Sequence, residues 1–299
     1  MSPDHASRAS AEISSTDLSP AAVVAAIDAR ARHLETPCGD GNMVWRRWGG
    51  GQSVDKPALI LLHGGYGSWT HWLKNAESLA ARFTVLVPDL PGLGESADVP
   101  RPATAESIAA ILATGIDQIA PGSSVALAGF SFGSVIGGHV AAQMGSRVSA
   151  FLMLGAAGLG MPRGPLALKR VEPGMHAAQI AAVQRANLVT LMFGDESRVD
   201  DLAVYLQNEN TRRGRLDSRP IAFTDTLVHT LPKTTVRLGA LWGEQDATAV
   251  PRIAQNFEVL RRLRPGLYCD TIANAGHWAQ WEQPAAFETR LINFIEGAA

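Results

Sequence analysis

The chain has few cysteines, little imbalance of charge and no long apolar run, and each absence excludes a class of protein. Its 299 residues include only two cysteines, Cys38 and Cys269, with no CxxC motif. A disulfide framework is therefore not expected, and no metal site is predicted. We interpret both cysteines as small buried hydrophobic residues in a reducing compartment.

The charge balance gives no electrostatic footprint for nucleic acid. The formal net charge is −2, and the one basic cluster, at Arg261, Arg262 and Arg264, is typical of a solvated last helical turn.

No stretch approaches the roughly 18 unbroken apolar residues that a membrane span needs. The polar first residues have no apolar core of a signal peptide. The sequence thus predicts a cytoplasmic protein that acts on a small molecule without nucleic acid or membrane, and it leaves the oligomeric state open.

The first fifty residues combine a polar tail with a helix and a hairpin. Residues 1–18 are rich in Ser, Ala and Asp, which predicts a disordered tail. Ser19 and Pro20 are typical of a helix N-cap and first turn, and the helix is predicted to run through "AAVVAAIDARARHL". The turn "GDGN" then separates two extended pieces, "LETPC" and "MVWRRWG".

From residue 57 onward, apolar runs alternate with helical patterns. Apolar strands such as "PALILLHGG" and "SSVALAGFS" precede segments with apolar residues three to four positions apart. This alternation predicts an α/β fold, a mostly parallel central sheet with helices on both faces. Residues 159–233 lack a buried strand and are interpreted as a helical cap over the carboxyl ends of the strands. The core is then formed by residues 19–158 and 234–299.

The segment "GFSFG", residues 129–133, lies between an apolar strand and a helix. It fits the G-x-S-x-G pattern of a nucleophile elbow, in which flanking glycines allow a tight turn and expose Ser131. The Phe132 amide, at the start of the helix, is then free to donate to an oxyanion. An ordinary turn capped by Ser131 is the alternative, and the strand before and helix after the serine favour the nucleophile.

A serine nucleophile needs a base and an acid to orient that base. His277 in "ANAGHW" follows the last predicted strand and is the predicted base. Asp246 in "LWGEQDATAV" follows the preceding strand and is the predicted acid, with Glu244 as its competitor. All three loops lie at the carboxyl edge of the sheet, in the chain order Ser, Asp, His.

With "LLHGGYGSW", "PDLPGLGES", "GFSFGS", "WGEQD" and "GHW" in that order, the chain resembles the α/β-hydrolase superfamily over residues 40–298. The resemblance implies an acyl-enzyme on Ser131 and a second oxyanion amide from Gly65, with Gly64 as the alternative. It also implies a structural role for His63. Asp89 is interpreted as a brace for its loop. The fold implies no cofactor.

The tail "CDTIANAGHWAQWEQPAAF" resembles the meta-cleavage-product hydrolases, which cut carbon–carbon bonds in dienoic acids. Two features depart from that family: Phe130 stands where asparagine is usual, and no cap arginine aligns with the one that holds the substrate carboxylate. The candidates for that arginine are Arg212, Arg213 and Arg215. Four aromatic residues are predicted to shape an apolar pocket, with a structural role left open for each: Tyr66, Trp69, Phe130 and Trp278.

These observations predict a serine hydrolase with a Ser131–His277–Asp246 triad and an acyl-enzyme intermediate. The expected substrate is a small, largely apolar ester, lactone or thioester. A carbon–carbon bond hydrolase is the alternative within the same fold. A ligand-binding protein without turnover is a third hypothesis, and the presence of all three predicted triad residues disfavours it.

Overall fold

The structure is a computed structural model that describes residues 18–50, 56–162 and 164–297. The tail predicted over residues 1–18 lies outside the described residues, apart from Leu18. Within the described part of the chain, no helix is both long and apolar enough to cross a bilayer.

Eight strands of the described residues form one sheet in the order β1-β2-β4-β3-β5-β6-β7-β8. The strands are β1 (Arg32–Cys38), β2 (Gly41–Trp48), β3 (Ala58–Leu62), β4 (Thr84–Pro88), β5 (Val125–Phe130), β6 (Val148–Leu154), β7 (Arg237–Gly243) and β8 (Tyr268–Ile272). Strand β2 is antiparallel to both β1 and β4, and the other neighbours are parallel. The predicted fold class is therefore confirmed.

Helices and short 3-10 turns connect these strands. The α-helices are α1 (Pro20–Asp28), α2 (Ala76–Leu79), α3 (Ala105–Ile119), α4 (Phe132–Met144), α5 (Ala177–Leu191), α6 (Asp201–Arg213), α7 (Arg219–Ala222), α8 (Thr226–Thr230), α9 (Ile253–Leu263), α10 (Ala279–Glu282) and α11 (Pro284–Glu296). The 3-10 helices are Trp69–Trp72, Gly145–Arg147, Glu196–Arg198 and Leu231–Lys233.

The sheet separates two apolar cores, because alternate side chains of a strand point to opposite faces. In β3, Ile60 and Leu62 belong to one core, whereas Leu59 and Leu61 belong to the other. Every residue of β3 and β5 is buried. These central strands therefore hold the elbow rigidly between two layers of helices.

Two predicted helices differ from the structure. The first ends at Asp28 rather than continuing through His33 and Leu34, because Arg32–Cys38 pairs along its whole length with β2. The segment "SWTHWLKNAESLAARF", residues 68–83, has the pattern of one helix, but it divides into the 3-10 helix Trp69–Trp72 and the short α2. Asn75 lies at the break, where its buried side chain donates to the Gln280 carbonyl and to Glu288.

Residues 159–233, which we name the cap segment, contain helices α5 to α8 and no strand among their described residues. Its first part is not helical as expected: residues 159–162 and 164–176 have neither helix nor strand. Asp200 is the N-cap of helix α6, because its side chain accepts from the Ala203 amide and so fixes the start of the helix. The division into core and cap remains a prediction.

Candidate active site

Ser131 occupies a strained turn between β5 and α4. Its φ is +52° and ψ is −111°, a conformation that costs a non-glycine residue about 1–3 kcal/mol. The Ser131 amide donates to the Leu154 carbonyl at 2.8 Å, and the Ser134 amide donates to the Ser131 carbonyl at 3.0 Å. The turn is thus held from β6 and from the first turn of α4.

The flanking glycines are required by space. A Cβ at Gly133 would lie 2.2 Å from the Leu62 carbonyl oxygen, and one at Gly129 would lie 2.5 Å from the Gly133 carbonyl oxygen. Both neighbours are backbone atoms that cannot move aside. The helix therefore packs against the ends of β3 and β5 at a distance that only glycine permits.

His277 and Asp246 form a buried pair. His277 Nδ1 donates to Asp246 Oδ2 at 2.7 Å, and both residues are almost fully buried. The Thr248 amide and hydroxyl donate to the other oxygen, Asp246 Oδ1, at 2.8 and 2.7 Å. With the proton on Nδ1, His277 Nε2 is left as an acceptor.

The carboxylate of this pair is kept ionised by its partners. Burial favours the neutral acid, but the His277 imidazole and the Thr248 donors outweigh burial, so the pKa of Asp246 lies below its usual 3.8. The competitor Glu244 is exposed and accepts from the Thr271 hydroxyl at 3.3 Å. The structure therefore brings Asp246, and not Glu244, to His277.

The loop after β3 supplies free backbone amides. The Gly64 amide donates to His71 Nδ1 at 3.2 Å. Among the described residues, the amides of Gly65 and Phe132 have no acceptor. An oxyanion can bind only to uncommitted donors, which favours Gly65 over Gly64.

His63 and Asp89 anchor this loop. His63 Nε2 accepts from the Leu90 amide at 2.8 Å, and its Nδ1 donates to the Gly64 carbonyl at 2.8 Å. Asp89 accepts from the Trp69 amide at 2.7 Å and pairs with the buried Arg46 at 3.1 Å. All hydrogen-bonding groups of His63 are occupied, so it has no free nitrogen for proton transfer.

A cavity of about 640 Å³ opens beside these groups. Ser131, His277, Gly65 and Phe132 all line it. The rest of the wall is largely apolar and includes Phe130, Leu159, Met161, Leu191, Met192, Phe223 and Trp242. The cavity therefore favours a small ligand with a mainly apolar body.

The predicted pocket aromatics divide into two pairs. Tyr66 and Phe130 line the cavity, and the Tyr66 hydroxyl donates to Asp217 of the cap segment at 2.9 Å. Trp69 and Trp278 instead are buried in the core beside it. Trp69 packs against Trp48, and Trp278 stacks on Trp281 with ring centroids 4.4 Å apart.

The candidate arginines of the cap segment are not on the cavity wall. Arg212 pairs with Glu209, Arg213 pairs with Glu209 and Glu95, and Arg215 pairs with Asp98. Arg219, which the sequence did not single out, does line the cavity. Its guanidinium, however, binds both oxygens of Asp217, each at 2.8 Å. No acidic side chain is among the described residues that line the cavity.

Two residues that sequence reasoning missed lie next to the site. His71 lines the cavity and is 3% exposed. The buried Glu282 carboxylate accepts from the amides of Gly276 at 2.6 Å and Gly194 at 3.1 Å, and so connects the His277 loop to the cap segment. The available sequence signal for Glu282 was a carboxylate five residues after His277, in "GHWAQWEQ". His71 falls within the helical pattern of residues 68–83, and no local signal in the sequence marks it as a site residue.

The sequence model of the Alpha/beta hydrolase family matches residues 59–290, which is most of the chain. The chain is 25% identical over 279 residues to the 2-hydroxy-6-oxononadienedioate/2-hydroxy-6-oxononatrienedioate hydrolase of Cupriavidus pinatubonensis, covering 86% of this chain and 92% of that protein.

It is also 25% identical over 272 residues to the dihydrolipoyllysine-residue acetyltransferase component of the acetoin cleaving system of Cupriavidus necator. That match covers 84% of this chain but spans only 66% of the relative. Among solved structures, the naproxen esterase of Bacillus subtilis superposes with a TM-score of 0.73 at 20% identity, over 95% of this chain and 99% of that one. At this identity the likeness concerns the fold alone.

Proposed function

The chain belongs to the alpha/beta hydrolase family and is a hydrolase of that fold, and on this premise we propose that it is a serine hydrolase that forms an acyl-enzyme on Ser131. The substrate is a small, largely apolar ester, lactone or thioester, bound between the core and a cap formed by residues 159–233. The observation that carries the proposal is the 2.7 Å bond from His277 to Asp246, made beside a cavity that Ser131 also lines.

In the proposed reaction, His277 Nε2 takes the proton of the Ser131 hydroxyl as Oγ attacks the acyl carbon. Asp246 holds the imidazole in the required tautomer and stabilises the imidazolium. The amides of Gly65 and Phe132 donate to the oxyanion of the tetrahedral intermediate. The imidazolium then protonates the leaving alcohol or thiol, and a water molecule, activated by the same imidazole, hydrolyses the acyl-enzyme.

A carbon–carbon bond hydrolase is the second candidate, because a relative named for that activity matches most of the chain. That substrate class carries a carboxylate, and burying an unpaired carboxylate is costly. Among the described residues that line the cavity, Arg219 is the arginine, and its guanidinium already binds both carboxylate oxygens of Asp217. We therefore rank the uncharged ester, lactone or thioester first.

Covalent labelling tests the nucleophile separately from the choice of substrate. A fluorophosphonate is expected to label the wild-type protein at Ser131 and to leave the Ser131→Ala variant unlabelled. Ser124→Ala, at an exposed serine outside the cavity, is the matched control and should label like wild type. If the wild type were not labelled, a binding protein without turnover would be the better hypothesis.

A substrate panel then tests the reaction. We expect turnover of p-nitrophenyl esters and a loss of 10³-fold or more in kcat/KM for Ser131→Ala and His277→Ala. Selective turnover of a ring-fission dienoate over simple esters, abolished by Arg219→Gln, would instead favour the carbon–carbon bond hydrolase.

A further inference from the structure

His71 is a second histidine on the wall of the active-site cavity. It lies in the 3-10 helix Trp69–Trp72, and its ring is 5.4 Å from that of Phe130, centroid to centroid. The Phe130 ring in turn lies 4.8 Å from that of His277. His71 is therefore close to the reacting groups but is not part of the triad.

The hydrogen bonds of His71 determine where its proton resides. Its Nδ1 accepts from the Gly64 amide, so Nδ1 carries a lone pair and the neutral ring must carry its proton on Nε2. Among the described residues, Nε2 has no hydrogen-bond partner. The neighbouring His63 differs, because both of its nitrogens bind backbone groups.

The environment keeps this imidazole neutral. Burial, together with the nearby His63 and His277, holds the pKa of His71 well below the usual 6.5. The ring is therefore a neutral donor across the physiological pH range, and it cannot supply the positive charge that a carboxylate would need. Because Nε2 has no acceptor among the described residues and His71 lines the cavity, this donor is available to a ligand.

We propose that His71 Nε2 donates a hydrogen bond to an uncharged oxygen of the substrate, a keto, ether or second ester oxygen distinct from the scissile carbonyl. The Gly65 and Phe132 amides already serve the scissile oxygen, which leaves His71 for another acceptor. This inference rests on the proposed serine hydrolase function and refines it: the substrate is an oxygen-bearing ester, lactone or thioester rather than a plain alkyl one.

Two substitutions separate the two nitrogens of the ring. In His71→Asn, the side-chain oxygen can take the place of Nδ1 and accept from the Gly64 amide, but no donor reaches the position of Nε2. In His71→Gln, the side-chain amide can place a donor at the position of Nε2 but loses the acceptor for Gly64. The first variant tests the substrate contact, and the second tests the support of the Gly64 loop.

The probes are p-nitrophenyl hexanoate, its 4-oxo and 5-oxo analogues, and a pair of hexanoate esters of butanol and 2-methoxyethanol. We expect the wild type to prefer at least one oxygen-bearing ester over its alkyl counterpart in kcat/KM. His71→Asn should reduce this preference about tenfold, as a larger loss in kcat/KM for the oxygen-bearing ester than for its alkyl counterpart, and His71→Gln should retain the preference.

Two results would overturn the proposal: no preference for any oxygen-bearing ester in the wild type, or an equal loss for both members of a pair in His71→Asn. Labelling of Ser131 by fluorophosphonate is measured in every variant. A wild type that neither labels nor turns over any ester contradicts the serine hydrolase itself. Intact labelling without the expected preference contradicts only the role of His71.

Discussion

His277 Nδ1 lies 2.7 Å from Asp246 Oδ2, and the carboxylate is completely shielded from solvent. The second oxygen of Asp246 is occupied by two donors from Thr248. The carboxylate therefore has one oxygen fixed by its own loop and the other directed at the imidazole. This arrangement sets both the orientation and the tautomer of His277.

Asp246→Asn is expected to lower kcat/KM by about 10³- to 10⁴-fold, because an amide can stabilise the wrong tautomer of the imidazole. Glu244→Gln, two residues away on the same loop, should stay within threefold of wild type, since Glu244 is exposed. Steady-state kinetics on a p-nitrophenyl ester measure both variants. Equal losses in the two would contradict the assignment of Asp246 as the acid.

Gly155→Ala is expected to disable the same pair by steric contact. Gly155 has a φ of +54°, and its Cβ would lie 2.9 Å from the His277 ring and 3.2 Å from Asp246 Oδ2. Gly145→Ala is a matched control, because Gly145 has the same φ but no atom within 4 Å of its Cβ. Both variants should lose about 1–3 kcal/mol of stability, because each places a non-glycine residue at a positive φ.

The two glycine variants should differ in activity. We expect kcat/KM to fall about 10²-fold or more only in Gly155→Ala, because small displacements of reacting groups have effects of this size. Denaturant unfolding measures the stability of each variant, and kcat/KM on one p-nitrophenyl ester in the same buffer measures its activity. If the two variants showed the same activity, the space around His277 would not be limiting.

Glu282→Gln is expected to loosen the loop that carries His277. The carboxylate accepts from Gly276, which precedes His277, and from Gly194 and Asp195 after α5. An amide keeps one acceptor oxygen and turns an NH₂ group toward backbone donors. We expect kcat/KM to fall about tenfold or more and the free energy of unfolding to fall by about 1–3 kcal/mol.

The control for this variant is Glu258→Gln, at an exposed position on α9. It should leave both kcat/KM and the unfolding free energy near wild type. Wild-type kinetics in Glu282→Gln would show that the loop does not depend on the buried carboxylate.

Sequence reasoning predicts the fold because local pattern and topology agree. Apolar strands alternate with amphipathic helices, so a parallel sheet follows, and residues after successive strands must meet at one edge. Asp246 and His277 are separated by 31 positions, yet each follows a strand of a neighbouring pair, β7 and β8. The elbow was visible for a similar reason, since only glycine fits at residues 129 and 133.

The walls of the cavity were harder to predict, because side-chain burial depends on packing between distant segments. Trp69 and Trp278 are adjacent to site motifs but face the core, where Trp48 and Trp281 pack on them. His71 is the reverse case, because the sequence did not predict it as a site residue but it lines the cavity. It falls within a helical pattern, but the break of that helix before Asn75 leaves it in a 3-10 turn at the cavity.

The last prediction concerns pH and the buried histidines. Burial lowers the pKa of His63, His71 and His139 below the usual 6.5, although Glu106 lies 3.6 Å from His139 and acts in the opposite direction. The unfolded chain therefore takes up protons first as the pH falls through 6.5, and folding stability falls with it.

Each of these histidines can contribute up to about 1.4 kcal/mol per pH unit below 6.5. We expect urea unfolding to give a lower free energy at pH 5.5 than at pH 7.5, a range above the usual pKa values of Asp and Glu. His139→Gln tests the attribution, because His139 lies away from the cavity, bonded to Thr226 and Thr230, and glutamine can replace those bonds without titrating. This variant should lose less stability between the two pH values than wild type. An unchanged difference would mean that the loss arises elsewhere, whereas a smaller one assigns part of it to a neutral imidazole held between α4 and α8.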